Sequence, residues 1–355
     1  AALYEHDLAA GDPLEPEISS MMRRRIAEGT GVEMGHTRVL RRFRWVAAAA
    51  ILLLLTGGVW FLADRRKDAP VFAGKAAAPI HDAAPGGNKA LLTMADGRVI
   101  GLDSAANGQL ALQGNIRVLK LDSGLLAYEV AASHKLQAAS RLEYNTITTP
   151  RGGQYQVVLP DGTRVWLNAA SSLQFPTSFT GKDRTVTLKG EAYFEVAGKA
   201  AQPFYVKMPN DAAIEVLGTR FNVNAYEDEP AARATLLEGA IRIRKSDHAS
   251  VLKPGQQAIM DNGGDAIRVS DDADMDEAVA WKNGMFIFNS LPLGSIMRQM
   301  ERWYDVEVSY RGNVKGISFN GQISRYSQAS QMLDMLATTG EVHFIMENKK
   351  VIVTP

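Results

Sequence analysis

The residue pair with the most chemical potential is Gly218-Thr219, inside the strand-like stretch VLGTRFNV. A hydroxyl directly after a flexible glycine can add to the preceding carbonyl. An N-to-O acyl shift then leaves an ester that water cleaves, provided the fold strains the peptide. The same glycine has a plainer reading, because glycine in a strand marks a bulge or a close backbone approach. Little else offers chemistry. The chain has no cysteine, which excludes thiol catalysis, thiolate metal sites and disulfide staples. The histidines His6, His36, His81, His134, His248 and His343 are scattered and read as solvated or structural residues. The acidic run Asp271, Asp272, Asp274, Asp276, Glu277 lacks the glycine and terminal glutamate of a calcium loop, and reads as a solvated linker. There is no H-E-x-x-H, no G-x-S-x-G, no P-loop and no G-x-G-x-x-G following a strand. No cofactor or metal is therefore expected, and the catalytic candidates are Gly218 and Thr219, acting only on their own bond.

The elements that would carry this bond begin with a membrane span. Residues 45–63 (WVAAAAILLLLTGGVWFLA) carry no charge and as a helix would cover about 28 Å, close to the hydrocarbon thickness of a bilayer. Trp45 at one end and Trp60 and Phe61 at the other suit the two interfaces. Arg38, Arg41, Arg42 and Arg44 precede the span and Arg65, Arg66 and Lys67 follow it; Arg23, Arg24 and Arg25 tip the balance and place residues 1–44 in the cytoplasm. In that segment Ile18, Met21, Met22 and Ile26 share one helix face. A segment too short for a core of its own is expected to use that face on a partner. The chain starts at Ala1 rather than Met, so further residues are expected upstream. Residues 64–88, rich in Ala, Pro and Gly, read as a tether.

Residues 89–274 alternate in short β-type runs, such as 157–167 (VVLPDGTRVWL) and 214–226 (IEVLGTRFNVNAY), with hairpin signals at Asp96-Gly97 and Asp161-Gly162. MADGRVIGL (94–102) matches LPDGTRVWL (159–167), and Ala127-Tyr128 matches Ala192-Tyr193, at one constant offset. A duplication into two β modules packed side by side, or the frequency of D-G hairpins, accounts for this. Residues 284–355 change character. Leu293, Ile296, Met297, Met300 and Trp303 mark a helix face with Ser290 as its cap, and Ala329, Met332, Leu333 and Leu336 mark a second helix ended by Gly340. Strands are expected around both, with a final hairpin turning at Asn348-Lys349. The order β-α-β-β-α-β-β predicts a small α+β domain of two β-α-β halves. The predicted fold is thus a mainly β periplasmic region with a small C-terminal α+β domain, behind a single N-terminal transmembrane helix. The zero net charge argues against direct nucleic-acid binding.

The run NTITTPRGGQYQVVLPDGTRVWLNAASSLQFPTSF (145–179), with GEAYFEV (190–196), PFYV (203–206), VLGTRFNVNAY (216–226), LLEGAIRI (236–243), KPGQQA (253–258) and RWYDVEV (302–308), resembles the FecR family. The resemblance implies a single-pass inner-membrane anti-sigma factor. Its cytoplasmic segment would hold an extracytoplasmic-function (ECF) sigma factor, and its periplasmic part would receive the signalling domain of a TonB-dependent outer-membrane transporter. Family members carry a longer cytoplasmic segment than residues 1–44. Some self-cleave at a Gly-Thr bond in a motif like VLGTRF, which carries over to Gly218-Thr219; proteolysis within the membrane then frees the sigma factor. Partner binding is expected at residues 284–355 by strand addition to a sheet edge, with Trp303 and Tyr304 shaping the surface. The alternative is a membrane-anchored module for glycan or cell wall, which needs an exposed aromatic platform and no cytoplasmic partner.

Overall fold

Alternation builds the body. In Tyr144–Thr149, Gly153–Val158 and Ala212–Val216 every second side chain is buried, the pattern of strands with one face on a core. The structure, a computed structural model, describes residues 82–122, 124–130 and 143–355, which lie in the unit Ala78–Pro355. The span at 45–63 and the candidate partner face Ile18, Met21, Met22 and Ile26 lie outside the described residues. Among those described, no helix is long and apolar enough to cross a membrane.

The β body is one connected sheet that folds into two layers. One layer runs from Val99–Gly101 through Leu91–Thr93, Tyr144–Thr149 and Ser171–Pro176 to the first half of Arg184–Glu195. It continues through Phe204–Lys207, Ala212–Val216 and Ile241–Lys245 to His248–Leu252. The other layer takes the second half of Arg184–Glu195, with Arg164–Leu167 on one side and Arg220–Ala225, Ala231–Glu238 and Gln257–Asp261 on the other. Strand Arg184–Glu195 changes layer at Gly190, whose φ is 83°. A Cβ there would lie 2.4 Å from Ser171 Oγ, so the corner needs glycine twice over. Between the layers lies one apolar core, including Leu92, Ile147, Val157, Phe175, Phe194, Phe204 and Phe221.

The two matching Asp-Gly segments form turns with the same bonds: Met94 N–H to Arg98 O and Gly97 N–H to Met94 O in one, Leu159 N–H to Thr163 O and Gly162 N–H to Leu159 O in the other. They do not belong to separate modules. Leu92 and Val165, from the strands flanking these turns, contribute to the same core.

The C-terminal module follows the predicted order, with its own core. The acidic linker contains a short helix α1 (Met275–Val279), whose first turn Asp274 caps by accepting the Glu277 N–H at 2.8 Å. Helices α2 (Leu293–Tyr304) and α3 (Ala329–Ala337) bury the expected faces. Ser290 is not the cap of α2. It sits at φ 52° in a bulge of strand Met285–Pro292, and the helix starts after Pro292, whose ring holds φ near the helical value. The two β-α-β halves do not each close a sheet. Met285–Pro292 pairs with Ser318–Ser324, while Glu307–Tyr310, Lys350–Thr354 and His343–Glu347 form a separate three-stranded sheet. Asn348 and Lys349 both have positive φ, as a type I′ hairpin turn requires.

Candidate functional site

Strand pairing sets out a row of polar groups on the outer face of the second layer. Ala192 and Phe194 point into the body core, so Glu191 and Tyr193 point away from it, and Asn222 sits across from Tyr193 on the neighbouring strand. Outward polar residues are normally solvated. Here the C-terminal module covers them, and Asn168, Glu191 and Asn222 are buried with Arg302 and Arg325 from the module.

The contacts interlock. Glu191 accepts the Asn168 amide on Oε2 at 2.7 Å and the Asn222 amide on Oε1 at 3.0 Å. The Asn168 oxygen accepts Arg325 Nη2 at 2.8 Å and the Ala169 N–H at 2.9 Å, and the Asn222 oxygen accepts the Trp281 indole N–H at 3.1 Å. Both amides are therefore pinned with their NH2 groups toward Glu191, which must accept on both oxygens. Arg325 Nη1 donates to the Trp281 carbonyl at 2.8 Å, and its guanidinium lies 3.7 Å from the centre of the Trp303 ring. Burial pulls the Arg325 pKa down to about 10, against the attraction of Tyr226 and Glu191. Burial likewise pushes the Glu191 carboxyl above its ordinary 4.5, outweighing the amides and the two arginines.

A second cluster sits beside the first. Arg302 stacks 4.0 Å over Tyr226, donates twice to Asp228 at 2.9 and 3.0 Å, and donates to Glu229 at 2.6 Å. Arg298 also donates to Glu229. Burial opposes ionisation of Glu229, but the two arginines win and hold its pKa below 4.5. A cleft of about 420 Å³ opens along this junction, with Asn224, Arg233, Gln257, Glu277 and Gln299 in its wall.

The described end of the predicted tether is also bound down. Asp82 accepts both the Ser330 N–H (3.1 Å) and the Ser330 hydroxyl (2.6 Å) at the start of α3, and the Ala83 carbonyl accepts the Ala329 N–H. A Cβ on Gly86 would lie 2.8 Å from the Trp303 ring, and Gly87–Asn88 pairs with Gly153 and Gln154 of the body. Residues 82–88 thus form a strap across both parts. Trp303 and Tyr304 lie beneath this surface and not on it. Trp303 is 1% exposed and its indole N–H donates to the Arg325 carbonyl at 2.7 Å; Tyr304 is 2% exposed and its hydroxyl donates to the Ser327 carbonyl at 3.0 Å. Each bulky ring buries its apolar body while its one polar group finds a backbone acceptor.

The Gly218-Thr219 bond lies not within a strand but in the bend between Ala212–Val216 and Arg220–Ala225, where the chain passes from one layer to the other. Thr219 is 4% exposed, and its hydroxyl donates to the Ala240 carbonyl at 3.1 Å. Both flanking peptides are fixed: the Val196 N–H donates to Thr219 O at 3.0 Å and the Lys199 N–H to Leu217 O at 2.9 Å. The supporting loop at 197–199 is held by the buried Arg184, which donates to Ala197 O (2.8 Å), Gln202 O (2.9 Å) and Asp161 (2.7 Å). Gly218 itself has no positive φ. It is glycine because a Cβ would come within 2.9 Å of Gly198 Cα.

Of the aromatic side chains exposed among the described residues, Tyr144 and Tyr310 lie on different strands and Tyr326 lies in the turn before α3. The half-buried Trp166 has the Lys282 ammonium 4.6 Å over its ring and Tyr193 against it.

A two-layer β body carrying an α+β module on a buried ionic junction defines a class of protein organised to hold two parts in register. Residues 145–242 match the FecR protein family model and residues 285–353 match the FecR C-terminal model. The chain belongs to the FecR family. Two crystal structures of a proposed anti-sigma factor from Parabacteroides distasonis ATCC 8503 share its fold. Each is 29% identical to this chain and covers 59% of it, with 97% and 98% of their own chains matched and TM-scores of 0.55 and 0.56. No curated protein matches the chain significantly.

Sequence reasoning singled out Gly218 and Thr219, which lie in the bend described above, and missed Glu191, Asn168, Asn222 and Arg325 at the junction. In the second half of strand Arg184–Glu195 the five residues Gly190–Phe194 are all buried, inward and outward positions alike, and only the adjacent aromatic pair Tyr193-Phe194 hints at this in the sequence.

Proposed function

We propose that this protein is an inner-membrane anti-sigma regulator. Its residues 1–44 would hold an ECF sigma factor, with Ile18, Met21, Met22 and Ile26 as the gripping face. Its periplasmic unit would receive the signalling domain of a TonB-dependent outer-membrane transporter. It has no external substrate on this reading, and its only chemistry is cleavage of its own Gly218-Thr219 bond. The observation that carries the proposal is the pairing of both FecR models with a C-terminal module seated on the body through Glu191, Asn168, Asn222 and Arg325. A partner strand added to an edge of the module would act on this junction, with Trp303 and Tyr304 supporting that surface from below. The strap at 82–88 gives the module a direct hold on the chain leading back toward the membrane.

The testing experiment is a calorimetric titration of the unit Ala78–Pro355 with the signalling domain of a transporter encoded beside its gene. Saturable one-to-one binding is expected. No binding by a folded unit would overturn the receiver role and favour the glycan-binding alternative.

A further inference from the structure

Gly239 is oddly placed for a turn residue. Its φ is +95°, and a Cβ there would lie 2.8 Å from Gly218 O, 2.9 Å from Thr219 Oγ1 and 3.2 Å from Thr219 Cα. Both reacting oxygens of the candidate bond therefore face the same missing side chain. Gly218 also packs closely against Gly198, and the Thr219 hydroxyl is oriented by the carbonyl of Ala240, the residue after Gly239. With Leu217 O and Thr219 O each held by a backbone N–H, the peptide cannot slide away from this space.

We propose that Gly239 is a positioning residue for cleavage at Gly218-Thr219: its absent side chain leaves the space in which the Gly218 carbonyl and the Thr219 hydroxyl are held together. The inference rests on the self-cleavage reading above. The Thr219 oxygen adds to the Gly218 carbonyl carbon, the C–N bond breaks, and the hydroxyl proton ends on the freed Thr219 nitrogen. Water then adds to the ester, releasing Gly218 as a carboxylic acid and restoring the Thr219 hydroxyl. Gly239 takes no part in these transfers. A Cβ there would push apart the two groups that must meet, and a misplacement of about 1 Å costs on the order of a hundredfold in rate.

The control is built into the fold. Gly255 has nearly the same φ, +90°, with nothing within 4 Å of an added Cβ. Gly255→Ala therefore carries the backbone strain without touching the bond, and Gly239→Asn supplies a Cβ on a side chain that tolerates positive φ. The full-length chain and each variant are followed by intact mass, with and without hydroxylamine to trap the ester, and folding is checked by circular dichroism. Wild type and Gly255→Ala should yield two fragments meeting at Thr219, and Thr219→Ala should stay whole. Gly239→Ala and Gly239→Asn should fold but cut about a hundredfold more slowly, with hydroxylamine-released product reduced alike. Cleavage of a folded Gly239 variant at the wild-type rate would overturn the positioning role and leave self-cleavage standing. Equal slowing in Gly255→Ala would overturn it too, by assigning the effect to strain. An uncut wild-type chain would overturn the self-cleavage reading itself.

Discussion

Arg325→Met tests whether the C-terminal module is bolted to the body or merely leans on it. The substitution keeps an unbranched side chain of similar length but deletes the hydrogen bonds to Trp281 O and Asn168 Oδ1, each 2.8 Å, and the stack on Trp303. Bonds from a charged donor are worth about 1.5–3 kcal/mol each, and a desolvated cation–π contact about 2 kcal/mol. Against these, methionine avoids the dehydration of a buried guanidinium, which returns several kcal/mol. The remainder, about 2–4 kcal/mol, corresponds to a weakening of docking by roughly a hundredfold. The assay is urea unfolding of the unit Ala78–Pro355, read in parallel by tryptophan fluorescence and far-ultraviolet circular dichroism. Trp281 and Trp303 line the junction, so fluorescence should move first and the two transitions should separate in the variant. Coincident transitions at the wild-type midpoint would refute the reasoning, because the junction would then contribute nothing to coupling.

Glu191→Gln should cost about 1–3 kcal/mol, since the pinned amides of Asn168 and Asn222 would leave one NH2 facing another. The same variant should remove a pH slope: the raised folded pKa of Glu191 gives stability fully present below 4.5 and lost as pH climbs through the raised value, read by unfolding midpoints along a pH series. Glu229 runs the other way, its lowered pKa giving stability present above 4.5 and lost in acid, so Glu229→Gln should flatten the acid limb of that series. Gly190→Ala should lose about 3 kcal/mol in urea unfolding, from a strained φ and a Cβ driven into Ser171. Asp161→Ala leaves Arg184 buried without its carboxylate and should cost about 3–5 kcal/mol in the same assay.

The body and the module were legible because their signals are local. Asp-Gly turns, alternation in Gly153–Val158 and the apolar stripe of α2 each follow from neighbouring residues. The junction was not, because its members lie far apart in the chain and look ordinary singly: Glu191 and Asn222 occupy outward strand positions that alternation assigns to solvent, and Arg325 follows a strand end as many exposed arginines do. Trp303 takes the buried place that its spacing from Met300 and Ile296 indicates, whereas the burial of Tyr304 comes from its contact with the loop at Ser327, which helical spacing does not reveal. The strap at 82–88 reads as a linker from composition because its docking depends on backbone and short side chains, which composition does not distinguish from flexibility.

The position of the candidate bond bears on what a cut would accomplish. The piece ending at Gly218 finishes with strand Ala212–Val216, which pairs with Ile241–Lys245 of the other piece. The piece beginning at Thr219 opens with strand Arg220–Ala225, which pairs with Arg184–Glu195 of the first. Two antiparallel ladders and the common core therefore cross the cut, and the strap adds the bonds from Ser330 to Asp82. Cleavage alone breaks none of these, so the two pieces stay assembled. Separation instead requires work on the ladders, and the lever for that work lies close by: Asn222, three residues beyond Thr219, is held by Glu191 and Trp281 at the junction. A partner that shifts the module would draw on the strand that starts at the cut. In an uncut chain the same pull is resisted by a covalent bond, whereas in a cut chain only hydrogen bonds and packing oppose it.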